Sequence, residues 1–469
     1  MLILQSLYSI ILNTIYKATG KFSRFVSNAI ITLSCIGLIS FFICFFMPKF
    51  WKYGIKGSLT LNTGICSFML FLIIVFGIKN ELKWIKWNAL IFYLFFLAGA
   101  GVLAISFLHP IGKGYRAWAM MMLFGFPCLY YVWNNRGDYN ELYKRLSAAT
   151  EIVGIVFYVY CFMRAANGRL KIVGGRITGA FYDANMLSMI GMIMVCCAFY
   201  MLLVNRQSKA WFALTALGFG VGTDIVLLGE SRLSILIVVG SLFAFTVFYI
   251  KCREDYGGKS RSAKLLRTEI ILLSLIFFIL AGKLMVEINA KAVDEDAEAQ
   301  TASVITYVYQ DPTTPGESPL DRFSPDGQDL NAYTAGRVNI WKNYAQFLNM
   351  TGNDFNKADW AALTGDTVKH AHNNFLEIGF RCGVPVAILH TLLELVAGII
   401  CIIFLFGRKY RDPSYLFSIV FMVSYAVESL FDIATLPFER PAPFFFYMAM
   451  LPVFMFGSNK VEEGPKHLE

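Results

Sequence analysis

Long apolar runs alternate with short charged connections along most of this chain. About twelve runs of 16–24 residues can be drawn, near 29–47, 58–78, 88–107, 117–133, 148–163, 185–204, 210–228, 233–250, 268–288, 384–406, 414–433 and 442–457. Runs of that length cross the hydrocarbon core of a bilayer as helices. The pattern predicts an all-α polytopic membrane protein with about 12 transmembrane helices. Residues 3–16 predict an amphipathic helix at the bilayer surface, followed by Lys17, Lys21 and Arg24. The N-terminus lacks a cleavable signal pattern. One polar stretch, 289–373, breaks the rhythm and is expected as a long loop. The organisation expected is therefore an interfacial helix over 1–28, a first bundle of about nine spans over 29–288, the loop over 289–373, three last spans over 374–457, and a tail over 458–469.

Composition supports this assignment. Hydrophobic residues make up 57% of the chain and charged ones 16%, well below the roughly 25% charged of a soluble domain. The formal charge of +9 is no nucleic-acid signal. Its basic residues cluster in alternate connections: Lys79/Lys83/Lys86, Arg136/Lys144/Arg145, Arg206/Lys209, Lys251 through Arg267, and Arg408/Lys409/Arg411. These fall on one side if the N-terminus is cytoplasmic, and an even number of spans returns the C-terminus there. The other side receives 164–184, 229–232, 289–373 and 434–441. The long loop is acidic, with twelve Asp/Glu against six Lys/Arg. The run Asp294 to Glu298 reads as a solvated face rather than a calcium site. The ten cysteines are scattered, mostly in apolar runs, without zinc-type spacing. No metal or cofactor pattern stands out.

Titratable residues on the outer side are the candidates for chemistry. Arg176 lies just before a span. Arg232 sits in the hairpin Gly229-Glu230-Ser231-Arg232. Arg337 opens a segment with helical spacing, and His370 and His372 close the long loop. Guanidinium groups are bidentate toward phosphate oxygens, and an imidazole can take a proton from a hydroxyl near neutral pH. Together they suit a lipid-linked diphosphate and an attacking hydroxyl. Each residue also has a plainer reading. Arg232 can snorkel or pair with Glu230, Arg176 can be loop electrostatics, and His372-Asn373 can cap the helix that follows. His370 reads as a neighbour of the site, and His390 with Glu394 as a satisfied polar pair inside a span.

Four stretches resemble the O-antigen ligase and O-antigen polymerase superfamily of bacterial envelope glycosyltransferases, in the family's order. They are Gly175-Arg176 with Thr178 to Phe181 and Asn185; Ser231-Arg232-Leu233-Ser234; Gly336-Arg337 with Trp341; and His370-Ala371-His372-Asn373 with Leu376, Glu377 and Gly383. The likeness covers roughly 170–440. It implies a fold of the GT-C-like kind and a polyprenyl-diphosphate-linked glycan as donor. It implies an acceptor hydroxyl on a glycan, a lipid or another molecule, in a metal-independent reaction without cofactor at the outer face of the bacterial cytoplasmic membrane. Carried over by residue, His372 is the general base, Arg176 and Arg232 hold the diphosphate, and Arg337 helps bind donor or order the loop. His370, Asp183, Asn185 and Asn373 are further candidates for sugar contacts or for orienting the arginines. A repeat-unit polymerase is the alternative within the family. A glycolipid or small-solute transporter, or a membrane scaffold using the loop as a binding surface, are alternatives outside it. No partner among nucleic acids is implied.

Overall fold

The computed structural model describes residues 2–45, 47, 59–108, 113–173, 176–181, 183–204, 209–251, 261–299, 336–353, 370–407, 412–432, 436–438 and 440–457. Among these, eight helices are long and apolar enough to cross a membrane, and Thr63–Val75, Arg232–Phe243 and Pro441–Phe454 are shorter apolar helices. The protein is an all-α polytopic membrane protein. Most of the long loop lies outside the described residues.

The first helices are α1 (Leu2–Thr19), α2 (Arg24–Phe45), α3 (Leu59–Val75), α4 (Ala89–Leu108) and α5 (Lys113–Met120). A π turn at Met121–Gly125 joins α5 to α6 (Phe126–Arg136), so one apolar run becomes a helix with a bulge. Next come α7 (Tyr139–Ala165), the hairpin β1 (Lys171–Val173) and β2 (Arg176–Gly179), α8 (Ala184–Val204), α9 (Lys209–Gly229), α10 (Arg232–Lys251) and α11 (Arg261–Ala299). Helix α11 continues eleven residues past the apolar run that ends at position 288. Ala, Lys and Glu are good helix formers, so the backbone stays helical after the hydropathy has gone. The last elements are α12 (Arg337–Gln346), α13 (Asn374–Cys382), α14 (Val384–Phe406), α15 (Pro413–Phe431), α16 (Pro441–Ala449) and α17 (Leu451–Phe454).

The described residues fall into two compact units, one within Met1–Leu38, Gly57–Arg145 and Pro325–Glu469, the other within Ile39–Lys56 and Leu146–Ser324. The first is an aromatic bundle. Phe444 to Tyr447 of α16 are buried. The Tyr447 ring stacks on Phe126 at 4.5 Å and meets Phe95 edge-on at 5.8 Å. Its hydroxyl accepts from Trp118 Nε1 at 2.7 Å. His390 and Glu394 of α14 pair at 2.9 Å inside this bundle, and Ser429 donates to Glu394. The polar pair expected inside the span is therefore present as a close contact, with Glu394 Oε2 bonded to Ser429 and the buried Oε1 left without a hydrogen bond.

The second unit packs by small residues, as membrane helices do in the absence of a hydrophobic drive between them. A methyl on Gly191 of α8 would lie 2.5 Å from the Gly222 carbonyl of α9, and one on Gly222 would lie 2.9 Å from the Gly191 carbonyl. Helix α11 packs on the other side of α9. There Ser274 donates to Ala216 O, and Gly282 leaves room for the Asp224 carboxylate. Tyr158 of α7 donates to that carboxylate at 2.7 Å.

Candidate functional site

In the second unit two of the sequence-chosen arginines come to the same helix ends. Arg176 opens β2, which pairs antiparallel with β1. Its Nε and Nη2 donate to Gly229 O at 2.9 and 2.7 Å, and Nη2 donates to Asn185 Oδ1 at 2.7 Å. This guanidinium therefore ties the hairpin to the end of α9 and the start of α8. Asn185 thus helps to fix the position of the Arg176 guanidinium. Asp183 is exposed, and its Oδ1 accepts from Asn185 N, capping α8.

Arg232 begins α10 three residues after Gly229 and is partly exposed. The turn between them is tight. Glu230 has φ of 47°, and Ser231 N donates to Ser188 Oγ at 3.3 Å. Gly229 permits this approach, because a Cβ there would lie 2.2 Å from Ser188 Oγ and 2.8 Å from Ala184 O. Gly229→Ala is expected to destabilise the protein by about 1–3 kcal/mol through overpacking and to pull the carbonyl away from Arg176. Thermal unfolding of the purified variant checks it. An unshifted midpoint would mean that the α8–α9 seam gives way freely.

In the first unit the His370-Ala371-His372-Asn373 stretch lies on a platform made by α12 and α13. Ile340 and Tyr344 of α12 are buried against Ala371 and Phe380, and the Tyr344 and Phe380 rings lie 4.9 Å apart. The turn at 349–353 clamps the break between α13 and α14. Asn353 N donates to Phe380 O, and Val384 N to Asn349 O, both at 2.8 Å. Gly383 has φ of 87°, and a Cβ would lie 2.3 Å from Met350 O. The glycine that trails the histidine motif is needed for this reason.

Glu377 organises the turn from below. Its Oε2 accepts from Ala371 N at 3.0 Å, and its Oε1 lies 3.6 Å from both His370 Nδ1 and Arg381 Nε. Burial alone would push this carboxyl up. The hydrogen bond and charge of His370, the charge of Arg381 and the Ala371 N–H outweigh it and hold the carboxyl below its ordinary range. His370 is thus a partner of Glu377. Asn373 is the N-cap of α13: its Oδ1 accepts from Leu376 N at 3.0 Å, and its Nδ2 donates to Leu430 O at 3.1 Å. Both ends of that amide serve the backbone, so its role is to hold the turn.

His372 stands apart. Its backbone is left-handed, φ 48°, an uncommon conformation for a residue with a side chain. The surrounding bonds impose it, and it aims the ring at the end of α15. There Nδ1 lies 3.2 Å from Asp432 Oδ1, while Arg440 Nη1 lies 3.1 Å from Asp432 Oδ2. The Asp432 side chain is 6% exposed and that of His372 30%. In the tautomer with its proton on Nδ1, the ring donates to Asp432 and Nε2 carries the lone pair. Arg440 is the ionic partner of that carboxylate. Glu428, one turn earlier on α15, lies within electrostatic reach of Asp432, Arg440 and Arg337. Trp341 of α12 packs near Phe431, with ring centroids 6.4 Å apart. Arg337, which opens α12, is therefore within electrostatic reach of the end of α15 that carries Asp432.

Neither Asp432 nor Arg440 is among the candidates that the sequence motifs offer. The available signal was positional: an Asp just after one apolar run and an Arg just before the next.

The fold and this cluster define a multi-pass membrane protein with a carboxylate-oriented imidazole at one end of its bundle. Residues 217–391 match the family described as O-antigen ligase. The match includes Arg232, Arg337, His370, His372 and Asn373. The likeness drawn from the motifs holds: over this segment the chain is similar to the O-antigen ligase and polymerase superfamily. No curated protein matches the chain.

Proposed function

We propose that the protein is a glycosyltransferase moving a glycan from a polyprenyl diphosphate onto an acceptor hydroxyl at the outer face of the bacterial cytoplasmic membrane. The observation that carries the reading is the Arg440–Asp432–His372 chain beside Arg337, within a segment matching the O-antigen ligase family. His372 Nε2 takes the proton of the acceptor hydroxyl as its oxygen attacks the anomeric carbon. The bond from that carbon to the diphosphate breaks, and the leaving group departs with the electron pair. Arg176 and Arg232 stabilise its growing charge, the task a metal performs elsewhere. Asp432 holds the ring in the basic tautomer and stabilises the imidazolium. Asn185 keeps Arg176 aimed, and Arg337 serves the donor side. The reaction needs no metal or nucleotide sugar. Both termini are cytoplasmic in this reading, as the charge bias requires.

The same donor chemistry serves a ligase and a repeat-unit polymerase, and the acceptor decides between them. The test is the purified chain in lipid vesicles with a polyprenyl-diphosphate oligosaccharide, offered either a lipid-linked sugar acceptor or a second donor molecule. Products are read by mass. Transfer to the first is expected for a ligase, and chain growth on the second for a polymerase. A chelator should leave either unchanged. Neither product, from protein that retains its fold, would sink the reading.

A further inference from the structure

The opposite end of the first unit holds a second polar site that glycan transfer does not use. Asn140 at the start of α7 donates to Asp412, the N-cap of α15, whereas Asp432 and His372 lie at the other end of α15. The helix between has 19 residues, about 28 Å at 1.5 Å each. Beside the start of α7 lies an open pocket of about 270 Å³, just under the range of small-ligand sites, about 300–1,000 Å³. Its polar lining includes Arg24, Lys79, Arg136 and Glu141.

The charges do not balance. Glu141 is shared by Lys79 at 3.3 Å, Arg145 at 2.9 Å and Arg136. With Arg24 there are four cations, against Glu141 and the nearby Asp138. The Arg136 side chain is 3% exposed, stacks over Trp133 at 4.5 Å, and leaves its buried Nε without a hydrogen-bond partner. Arg24 stands in the first turn of α2, which has no acidic residue there. A cation at that helix end is unfavourable, and an anion would be favourable. Burial, and then the charge of Arg136, push the Lys79 ammonium below its ordinary range, against the pull of Asp138. A bound anion would offset the excess positive charge and the unfavourable cation at the start of α2.

The rim indicates what carries the anion. Phe22 and Phe76 meet edge-on at 5.5 Å across it. Phe22 and Phe25 are 51% and 82% exposed. Helix α1 leads into the pocket with Ile3, Leu7, Ile10 and Ile11 exposed along one stripe, while Tyr8 and Leu12 are buried on the other face. Tyr8 donates to Leu123 O, and Asn13 is bonded to Leu82. An apolar outer stripe fixed in this way belongs at the surface of a bilayer.

We propose that this pocket binds the phosphate of an anionic membrane lipid at the bilayer surface opposite His372. Its assignment to the cytoplasmic leaflet rests on the orientation given above; the binding itself does not. The test uses the full chain in detergent, titrated with short-chain phosphatidylglycerol, short-chain phosphatidylcholine or inorganic phosphate, and read by thermal unfolding. Phosphatidylglycerol should raise the midpoint saturably and phosphatidylcholine should not. The double variant Arg24→Gln/Lys79→Gln should need roughly thirtyfold more phosphatidylglycerol for the same shift, and Arg24→Lys/Lys79→Arg should respond as the native chain does. If the double Gln variant does not fold, Lys79→Gln alone replaces it, with a proportionately smaller loss. An equal response to phosphatidylcholine, or an unaltered response in the Gln variant, overturns the site. An equal response to inorganic phosphate overturns the lipid and leaves a soluble anion as the ligand. The readout is binding, so failure of the glycan-transfer reading leaves this result intact.

Discussion

His372→Asn should lower glycan transfer by about 10²–10⁴-fold, the usual contribution of a positioned general base, with little change in folding. Asparagine is the informative replacement because it tolerates the left-handed backbone that His372 adopts; alanine would add strain to the loss of the imidazole. Asp432→Asn should lower the rate through a different route. The amide cannot hold the ring as a carboxylate does, and Arg440 loses its ionic partner. The His372→Asn/Asp432→Asn pair should be no slower than His372→Asn alone, because the two act as one unit. Turnover in the vesicle assay checks this, with thermal unfolding run beside it. Native rates in His372→Asn would remove the base from the mechanism, and fully additive losses would separate Asp432 from it.

Arg176→Lys/Arg232→Lys should cost about 10²–10³-fold in turnover at saturating donor, the order seen when a preorganised donor to a developing negative charge is removed. Charge is kept in this variant, so the loss reports geometry. Arg176 uses Nε and Nη2 together to hold Gly229 O and Asn185 Oδ1, and a planar, rigid guanidinium can keep such an anchor while facing a phosphate. A single ammonium on a flexible stem cannot. Full turnover in the double Lys variant would take the diphosphate away from these residues.

Several parts of the site were legible because they are local. The turn chemistry of Gly229-Glu230-Ser231 and the cap at Asn373 follow from residue type at a helix boundary. His370 as a neighbour, and the approach of His390 to Glu394, were also readable from spacing alone. The partners of His372 and Arg176 were not. Asp432 lies 60 residues from His372, and Gly229 lies 53 from Arg176. No period in the sequence encodes such pairs. The basic connections read as a topology signal, and nothing local indicated that Arg24, Lys79 and Arg136 would line one cavity.

The sequence by itself determined that this chain is an all-α membrane protein. A bilayer leaves a backbone no other way to satisfy its hydrogen bonds than a helix or a closed barrel, and runs of this length and composition choose the helix. It also determined which residue types were available for proton transfer and phosphate binding. Tertiary structure decided which of them work together. It bent His372 into a left-handed turn over Glu377, set Asp432 and Arg440 behind its ring, and hung Arg176 on the carbonyl of Gly229. Those choices depend on helix ends meeting across long sequence separations, where packing of glycines and aromatic rings fixes positions that hydropathy leaves open.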